Sequence, residues 1–347
     1  MRIRWFLITT CVAIALAGCG GGSSGSSSVS AASAAFVPDP PLVITSDMAA
    51  AATASVLNGI TVADDTGAGS LDLSGGAVGA SIEADSQVPL TDTAIELATK
   101  ASAYVTSELA AAVGVVTEQT AQCALGGSET VRIDTGSISL QDFEAAIDGG
   151  AVPSGVSVRV SFDSCIESVG DSINGIFEVT FVQFPLQANI GSTDFVIEIQ
   201  TMFDGLEANG GRIDGDLALT LTSTSSTGVS VTTSGELIEV TAAGRTIALI
   251  EYSVSVADDG TDLIETTVNF TINDTQLNGG LTVTTLDPLV VSNLNGYLSG
   301  SLSISGADAT SITMTVLDSE FAQLEVDTDG DGLSNETIIL TLAELGA

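Results

Sequence analysis

The stretch GIFEVTFVQF, residues 175–184, alternates apolar side chains with Glu, Thr and Gln over most of its length. A period of two residues is typical of a β-strand that buries one face and leaves the other in water. The same alternation recurs at residues 156–162, 216–223, 235–240, 266–272, 280–285, 300–305 and 311–316. The sequence therefore predicts a mainly β protein with roughly a dozen strands.

Short turn-forming sequences lie between these segments. They are Asn174-Gly175, Asp214-Gly215, Asp258-Asp259-Gly260, Asn278-Gly279 and Asn295-Gly296. Strands joined by so few residues run antiparallel, because a parallel crossover needs more chain. We therefore expect residues 123–347 to form a long antiparallel meander, either curled or folded into a sandwich so that its edges are protected.

Residues 42–122 are expected to form a small helical region packed on this sheet. Residues 47–57 are rich in alanine, and a longer helix is predicted from Thr93 to about Thr120. Thr93 and Glu96 match a capping box that follows Pro89. Apolar residues then recur at the spacing of a helix, namely Ile95, Ala98, Val105, Leu109, Ala112 and Val116.

Residues 1–18 have the layout of a secretory signal peptide. Arg2 and Arg4 precede an apolar run that is too short to anchor the chain across a bilayer. The segment Leu16-Ala17-Gly18-Cys19 resembles the lipobox of bacterial lipoproteins. That resemblance implies cleavage before Cys19, diacylglycerol on its thiol and an acyl chain such as palmitate on its amino group. Each buried methylene contributes about 0.8 kcal/mol, so several chains together anchor a protein firmly.

The residue after Cys19 is Gly, not the Asp that retains many lipoproteins in the inner membrane. The resemblance therefore implies the outer membrane of a Gram-negative cell, on its periplasmic side or its surface. Residues 19–41 continue with Gly, Ser and Ala and end with Pro38, Pro40 and Pro41. This composition predicts a flexible tether between the lipidated cysteine and the folded part.

The charge balance narrows the choice of partners. Removal of residues 1–18 leaves 44 carboxylates against five cations, which are Lys100, Arg132, Arg159, Arg212 and Arg245. Such a surface repels nucleic acids and anionic lipid headgroups and attracts divalent cations. We therefore expect no nucleic-acid partner, and we expect contact with the outer membrane through the lipid anchor.

Four cysteines are present, and two of them are expected to keep an unmodified thiol after processing. Cys11 leaves with the signal peptide and Cys19 is the expected lipidation site, which leaves Cys123 and Cys165. Two cysteines in an exported chain most often form one disulfide. The sequence contains no histidine, so Ser-His-Asp and Cys-His catalysis are excluded. A lone pair of cysteines also supplies too few ligands for zinc.

The surroundings of these cysteines carry a further resemblance. Cys123-Ala-Leu-Gly126-Gly127 is followed by VRVSFDSC at residues 158–165 and by Asn174-Gly175. This arrangement resembles a group of β-rich bacterial outer-membrane lipoproteins with a Cys-x-x-Gly-Gly segment, a second Cys that closes a strand, and Asn-Gly strand starts. The resemblance covers about residues 123–342. It implies a disulfide-stapled sheet and implies no activity.

Asp134-Thr135-Gly136 resembles the active-site turn of the aspartic proteases, in which two such loops share a proton between close carboxylates. Asp65-Thr66-Gly67 offers a second copy. Arg132, however, stands where that turn has an apolar residue, and Asp-Thr-Gly is equally suited to an ordinary turn. We therefore expect a protein that is not an enzyme.

Three aspartates alternate with small residues in VDTDGDGLSNE, residues 326–336. With Asp327 as position 1 of a calcium loop, Asp329 and Asp331 take positions 3 and 5, and Gly332 takes the sharp turn at position 6. The other oxygen donors of the predicted site are the Leu333 carbonyl, the Asn335 amide and the Glu336 carboxylate.

This loop resembles the calcium loops of EF-hands, dockerins and thrombospondin type 3 repeats. An EF-hand is excluded because Ile338 replaces the acid at position 12 and because the flanks are strand-like. Structural calcium in a hairpin turn and an acidic turn without metal both remain open. The excess of aspartates over what a turn needs favours calcium.

Taken together, these features predict a non-enzymatic outer-membrane lipoprotein with a structural, surface-interaction or adhesion role, stabilised by calcium. The alternative is a carrier whose curved sheet and helices enclose a lipid or other hydrophobic cargo. An apolar cavity would favour the carrier, whereas strands with one wet face and a filled core would favour the interaction protein.

Overall fold

The computed structural model describes most of the chain from Pro38 onward. It describes residues 38–63, 90–107, 117–168, 171–186, 194–208, 211–226, 228–258, 260, 263–277, 279–292 and 296–346. The expected signal peptide, Cys19 and most of the tether lie outside the described residues, as does Asp65-Thr66-Gly67. None of the described helices is long and apolar enough to cross a membrane.

The described residues form three α-helices and fifteen strands. The helices are α1 (Ala49–Ala63), α2 (Leu90–Ser107) and α3 (Leu140–Asp148). The strands are β1 (Thr117–Gln122), β2 (Gly126–Asp134), β3 (Ala151–Val152), β4 (Ser157–Ser168), β5 (Asp171–Pro185), β6 (Phe195–Ala208), β7 (Gly211–Thr224), β8 (Gly228–Ala242), β9 (Arg245–Asp258), β10 (Leu263–Asp274), β11 (Gly279–Ser292), β12 (Gly296–Ser305), β13 (Ser311–Val316), β14 (Phe321–Asp327) and β15 (Glu336–Thr341). Short 3₁₀ turns lie at Ser46–Met48, Ala307–Ala309 and Leu342–Leu345.

All of these strands belong to one antiparallel sheet. Their order in the sheet follows their order in the chain, except that the two-residue β3 pairs with β5. Within the described part of the chain, β1 and β15 each have one neighbouring strand, so the sheet is open. The predicted mainly β meander with a small N-terminal helical region is confirmed.

A row of irregular positions crosses the sheet from strand to strand. The pairing register shifts at adjacent points on successive strands from β4 to β12. Bulges bend a strand and increase its twist, so the sheet curls along this row. We call the row the bulge line and define it by Ser164, Gly175, Gly205, Gly215, Gly235, Glu251 and Gly300.

Glycine is required on the bulge line because neighbouring strands approach too closely for a side chain. A Cβ atom on Gly175 would lie 2.0 Å from the carbonyl oxygen of Gly205. A Cβ atom on Gly215 would lie 2.1 Å from the carbonyl oxygen of Leu237. Both glycines also have positive φ angles, +93° and +122°, which other residues rarely adopt.

The prediction that Asn174-Gly175 and Asp214-Gly215 form turns is wrong, because both pairs lie inside strands. Each strand predicted to start there is the second half of a longer one. Asn174 Oδ1 accepts a hydrogen bond from the Ser164 N–H at 2.8 Å, and Asp214 Oδ1 accepts one from the Gly205 N–H at 2.6 Å. The polar side chain satisfies a backbone donor on the adjacent strand, and the glycine permits the close approach.

The predicted disulfide between Cys123 and Cys165 is confirmed, and it lies at one end of the bulge line. It joins the β1–β2 turn to β4, with the two Cα atoms 5.4 Å apart. A cross-link between residues 42 positions apart stabilises the fold by about 4 kcal/mol in the chain-entropy model. A Cβ atom on Gly127 would lie 1.9 Å from the Ser164 carbonyl oxygen. The Cys-x-x-Gly-Gly segment therefore brings β2 against the bulge beside Cys165.

One face of the sheet is buried under α1 and α2; we call it the inner face and the opposite one the outer face. Helix α1 contacts β9 and β10, and α2 contacts β5 and β7. A Cβ atom on Gly59 would lie 2.7 Å from Cδ1 of Ile272, so α1 lies very close to the sheet. The buried side chains of the helices and the inner face form one hydrophobic core.

A polar cluster interrupts this core where α1 meets the end of β10. The Asp274 side chain is fully buried, pairs with Arg245 and accepts a hydrogen bond from Ser55 Oγ of α1. The Gln276 N–H donates to Asp274 Oδ1 at 2.9 Å. Burial raises the pKa of Asp274, but the donors of Arg245, Ser55 and Gln276 outweigh it and hold the pKa below its ordinary value. An ionised carboxylate therefore ties α1 to the sheet.

A second polar contact ties α2 to β2. Lys100 Nζ lies 3.4 Å from Glu129 Oε1, and the Tyr104 hydroxyl donates to the same oxygen at 2.6 Å. The Lys100 ammonium also lies 5.4 Å from the centre of the Phe162 ring. Two helices are thus fixed to the sheet at separate points, each through a carboxylate on a strand.

The helix boundaries differ from those predicted. Helix α2 already includes Leu90, so Thr93 lies inside it and is not its N-cap. The described part of α2 ends at Ser107, and residues 117–120, predicted to be its last turn, belong to β1. Pairing of β1 with β2 along its whole length outweighs the local helical pattern there. Helix α3 was not among the predicted helices. The residue that marks its start in the sequence is Ser139, whose side chain accepts a hydrogen bond from the Asp142 N–H at 3.2 Å.

The segment before α1 crosses the ends of β10 and β11; we call residues 40–44 the strap. The Leu42 N–H donates to the Gly280 carbonyl at 2.9 Å, and the Gly280 N–H donates to the Pro40 carbonyl at 3.0 Å. The Ile44 N–H donates to Thr310 Oγ1 at 3.0 Å. These bonds fix the strap to β11 and to Thr310.

Candidate functional site

The acidic loop connects β14 to β15 and lies against the 3₁₀ turn Ala307–Ala309. A Cβ atom on Gly330 would lie 2.3 Å from the carbonyl oxygen of Asp308, so glycine lets the two loops touch. Gly332 has a φ angle of +84°, which matches the sharp turn expected at position 6. The loop is thereby held at one end of the sheet, next to the start of β15.

Asp327, Asp329 and Asp331 come together in this loop, with one carboxylate oxygen of each within 4.8 Å of the others. The Gly330 and Gly332 N–H groups donate to Asp327, both at 2.8 Å. Burial raises the pKa of Asp327, but these two donors together with the Asp329 N–H hold it below its ordinary value. The three carboxylates form a compact oxygen cluster that suits a hard divalent cation.

The other predicted ligands lie differently. Asn335 Oδ1 accepts from the Thr328 N–H at 2.6 Å and from the Thr328 hydroxyl at 3.0 Å, so this oxygen closes the loop. Glu336 is the first residue of β15 and pairs with Val326. The Leu333 side chain is 69% exposed, and its N–H donates to Asp331 Oδ1 at 2.8 Å. Glu336 does not belong to the close group of carboxylates.

The protease-like segment forms a turn between β2 and α3. Asp134 Oδ1 accepts a hydrogen bond from the Gly136 N–H at 2.8 Å, and Gly136 has a φ angle of +57°. This is an Asx turn, in which the Asp side chain accepts a hydrogen bond from the backbone N–H two residues on. The Asp134 carboxylate therefore has a structural role in the described turn.

A second feature is a groove of about 460 Å³ on the outer face beside the bulge line. Four strands contribute its lining, which consists of Glu178, Thr180, Gln200, Thr201, Met202, Asp216, Leu217, Ala218 and Glu236. Gln200 and Glu236 are exposed, and Met202 is 40% exposed. Carboxylate and amide oxygens thus lie beside a thioether and offer hydrogen-bond acceptors next to an apolar contact.

The carboxylates of the groove have different bonding partners. Asp216 accepts from the Glu236 N–H at 3.1 Å and from the Leu237 N–H at 3.2 Å, so it supports the bulge of β8. Glu178 Oε2 lies 3.7 Å from Arg159 Nη1. The exposed Glu236 carboxylate is therefore the group best placed to receive a donor from a partner.

Sequence reasoning did not find this groove. Alternation assigns Gln200, Met202 and Asp216 to one face of their strands, but it does not say which strands are neighbours or where the bulges fall. The signal that could have located it is the row of glycines, once those glycines are understood as bulges. No family model matches the chain, and no curated protein or solved structure matches it either.

Proposed function

We propose that this protein is a non-enzymatic lipoprotein, anchored to the outer membrane through Cys19, whose β domain binds a partner on its outer face. The lipobox and the tether support the anchor. The observation that favours binding over carriage of cargo is the division of the sheet. Its inner face is filled by α1 and α2, and its outer face presents polar strands and the groove beside Gly215 and Gly235.

A photocrosslinking experiment in the producing cell tests both parts of this proposal. A photoreactive residue replaces Met202 in the groove, and the matched control carries it at Thr220, which is exposed on β7 outside the groove. Discrete adducts are expected from position 202 and not from position 220. A Cys19→Ser version should move from the membrane fraction to the soluble fraction. Equal labelling at both positions would count against the proposal, and so would a stoichiometric amount of non-covalently bound lipid in the purified chain.

We further propose that the acidic loop holds a structural calcium ion through Asp327, Asp329 and Asp331. Extracellular calcium modules bind with a Kd of ~10⁻⁴ to 10⁻³ M. For a Kd of about 0.5 mM, about 5 mM calcium stabilises the fold by about 1.4 kcal/mol. This corresponds to a rise in Tm of about 3 °C.

The expected rise in Tm is measured by thermal melting with calcium chloride, against sodium chloride of equal ionic strength. Asp329→Ala should lose the rise. Asp318→Ala is the matched control. Asp318 also accepts backbone N–H bonds in an exposed turn, but it belongs to no carboxylate cluster of the described residues. An unchanged Tm in the parent chain, or an equal rise in the Asp329→Ala variant, refutes calcium binding at this loop.

A further inference from the structure

The last strand, β15, presents a free edge. Among the described strands it pairs with β14 alone. The Leu342 N–H donates to the Glu320 carbonyl at 2.8 Å, which sets the alternation of hydrogen bonds along the ladder. The Thr341 N–H instead donates to Glu344 Oε2, away from β14. By the same alternation, the N–H and C=O groups of Thr337 and Ile339 point away from β14.

This edge lacks three of the features that natural sheets use to prevent pairing. Lysine, proline and bulges usually protect an edge strand. The sequence ETIILT of β15 contains neither Lys nor Pro, and its register with β14 is continuous. Its isoleucines and threonines are also among the residues that favour strands most. The edge is therefore a ready template for one more strand.

Apolar side chains lie beside the free edge on the outer face. Phe321 of β14 is opposite Thr341, and Ile339 of β15 is opposite Gln323, so Phe321 and Ile339 share a face. The Leu317 N–H donates to the Phe321 carbonyl at 2.9 Å, which continues the register of β13 and β14. Leu317, Phe321 and Ile339 are 47%, 37% and 58% exposed. We call these three residues the edge patch.

The charges near β15 indicate which kind of added strand would be complementary to this edge. Glu325 is opposite Thr337 on the same face, at the end of β15 that is next to the acidic loop. The chain has a formal net charge of −37, so a second copy would be repelled. A segment of a different protein, with a cationic residue beside Thr337 and an apolar residue beside Ile339, complements both the charge and the edge patch.

We propose that the free edge of β15 binds an extended segment of another protein as an added strand, with a basic residue near Glu325 and apolar residues over the edge patch. This inference rests on the proposed function and specifies the form of its partner. Backbone hydrogen bonds to Thr337 and Ile339 supply affinity, and the edge patch and Glu325 set the preferred sequence and its position along β15.

The test uses the mature lipidated chain in detergent micelles and a fluorescent peptide, acetyl-KTVTIT-amide, followed by fluorescence anisotropy. Thr337→Pro removes one outward N–H group at an edge position where proline is tolerated, and should weaken binding by more than about tenfold. Ile339→Lys should weaken it to a similar extent through loss of apolar contact and charge repulsion. Leu125→Lys, at an exposed apolar residue in the β1–β2 turn, is the control and should bind like the parent chain.

Three results of the binding assay would overturn the proposal. These are no binding by the parent chain, equal binding by Ile339→Lys and Leu125→Lys, and equal binding of the charge-reversed peptide acetyl-ETVTIT-amide. Sedimentation should find a monomer; a dimer that Ile339→Lys disrupts would make a second copy the occupant and would also overturn it. Adducts at position 202 without peptide binding reject the edge alone, and peptide binding without those adducts rejects the outer-face groove.

Discussion

Gly175→Ala should destabilise the protein by more than about 4 kcal/mol, because it places an atom where the next strand already lies. The added Cβ would be 2.0 Å from the Gly205 carbonyl oxygen, 2.4 Å from its carbon and 2.7 Å from the Leu206 nitrogen. Backbone atoms of a central strand cannot rotate away as a flexible side chain can. The bulge must therefore open, and the pairing of β5 with β6 is lost around it.

The matched control is Gly244→Ala in the β8–β9 turn. Gly244 has a φ angle of +82°, close to the +93° of Gly175, but its Cβ would meet nothing within 4 Å. The control therefore measures the conformational cost alone, which is about 1 kcal/mol. Urea denaturation of both variants measures the difference between their free energies of unfolding. If the two substitutions cost the same, close approach of the strands does not explain the glycines of the bulge line.

Arg245→Met is expected to cost about 3–5 kcal/mol, because it leaves the Asp274 carboxylate buried without its cation. The Asp274 side chain has no exposed surface, and Arg245 is 24% exposed. Arg212→Met is the matched control. Arg212 also pairs with carboxylates, Glu207 and Asp214, but its side chain is 48% exposed, and loss of such a surface pair costs about 1 kcal/mol or less.

The pH dependence separates this effect from simple loss of packing. In the parent chain the pKa of Asp274 is lowered, so its stabilising contribution is present above its ordinary pKa and is lost as pH falls through the lowered value. In the Arg245→Met variant the Arg245 guanidinium no longer opposes the effect of burial, so the pKa of Asp274 should rise. The stability gap between the two chains should therefore narrow as pH falls from about 7 to about 4. Urea denaturation measures it, and a gap that does not change with pH would contradict the role assigned to the ion pair.

The sheet could be predicted from local alternation, but its curvature could not. Residues 175–184 show their strand period without reference to any neighbour. Asn174-Gly175 and Asp214-Gly215, by contrast, have the same composition as hairpin turns, and only contact with Ser164 and Gly205 on adjacent strands makes them bulges. Because a bulge and a turn interrupt alternation alike, the pattern alone predicts strands that are too short.

Some parts of the candidate sites could likewise be predicted from the sequence and others could not. Asp327, Asp329 and Asp331 lie within five consecutive residues, so their proximity could be predicted from spacing. The side-chain direction of Asn335 could not be, because it depends on a hydrogen bond with Thr328 across the loop. Sites that combine several strands, such as the groove, depend on register and are beyond the reach of a local pattern.

The contacts of α1 also determine the order in which the chain can fold. Most strands pair with the next strand in sequence, so hairpins can form as the chain emerges. Helix α1 is made early, but Ser55 bonds to a residue 219 positions later and Ile44 of the strap to one 266 positions later. The apolar side of the first helix therefore stays uncovered until the last third of the chain has arrived. Protection against aggregation during synthesis is needed most at this helix, because its contacts with β9, β10 and the 3₁₀ turn Leu342–Leu345 form only after those segments have been made.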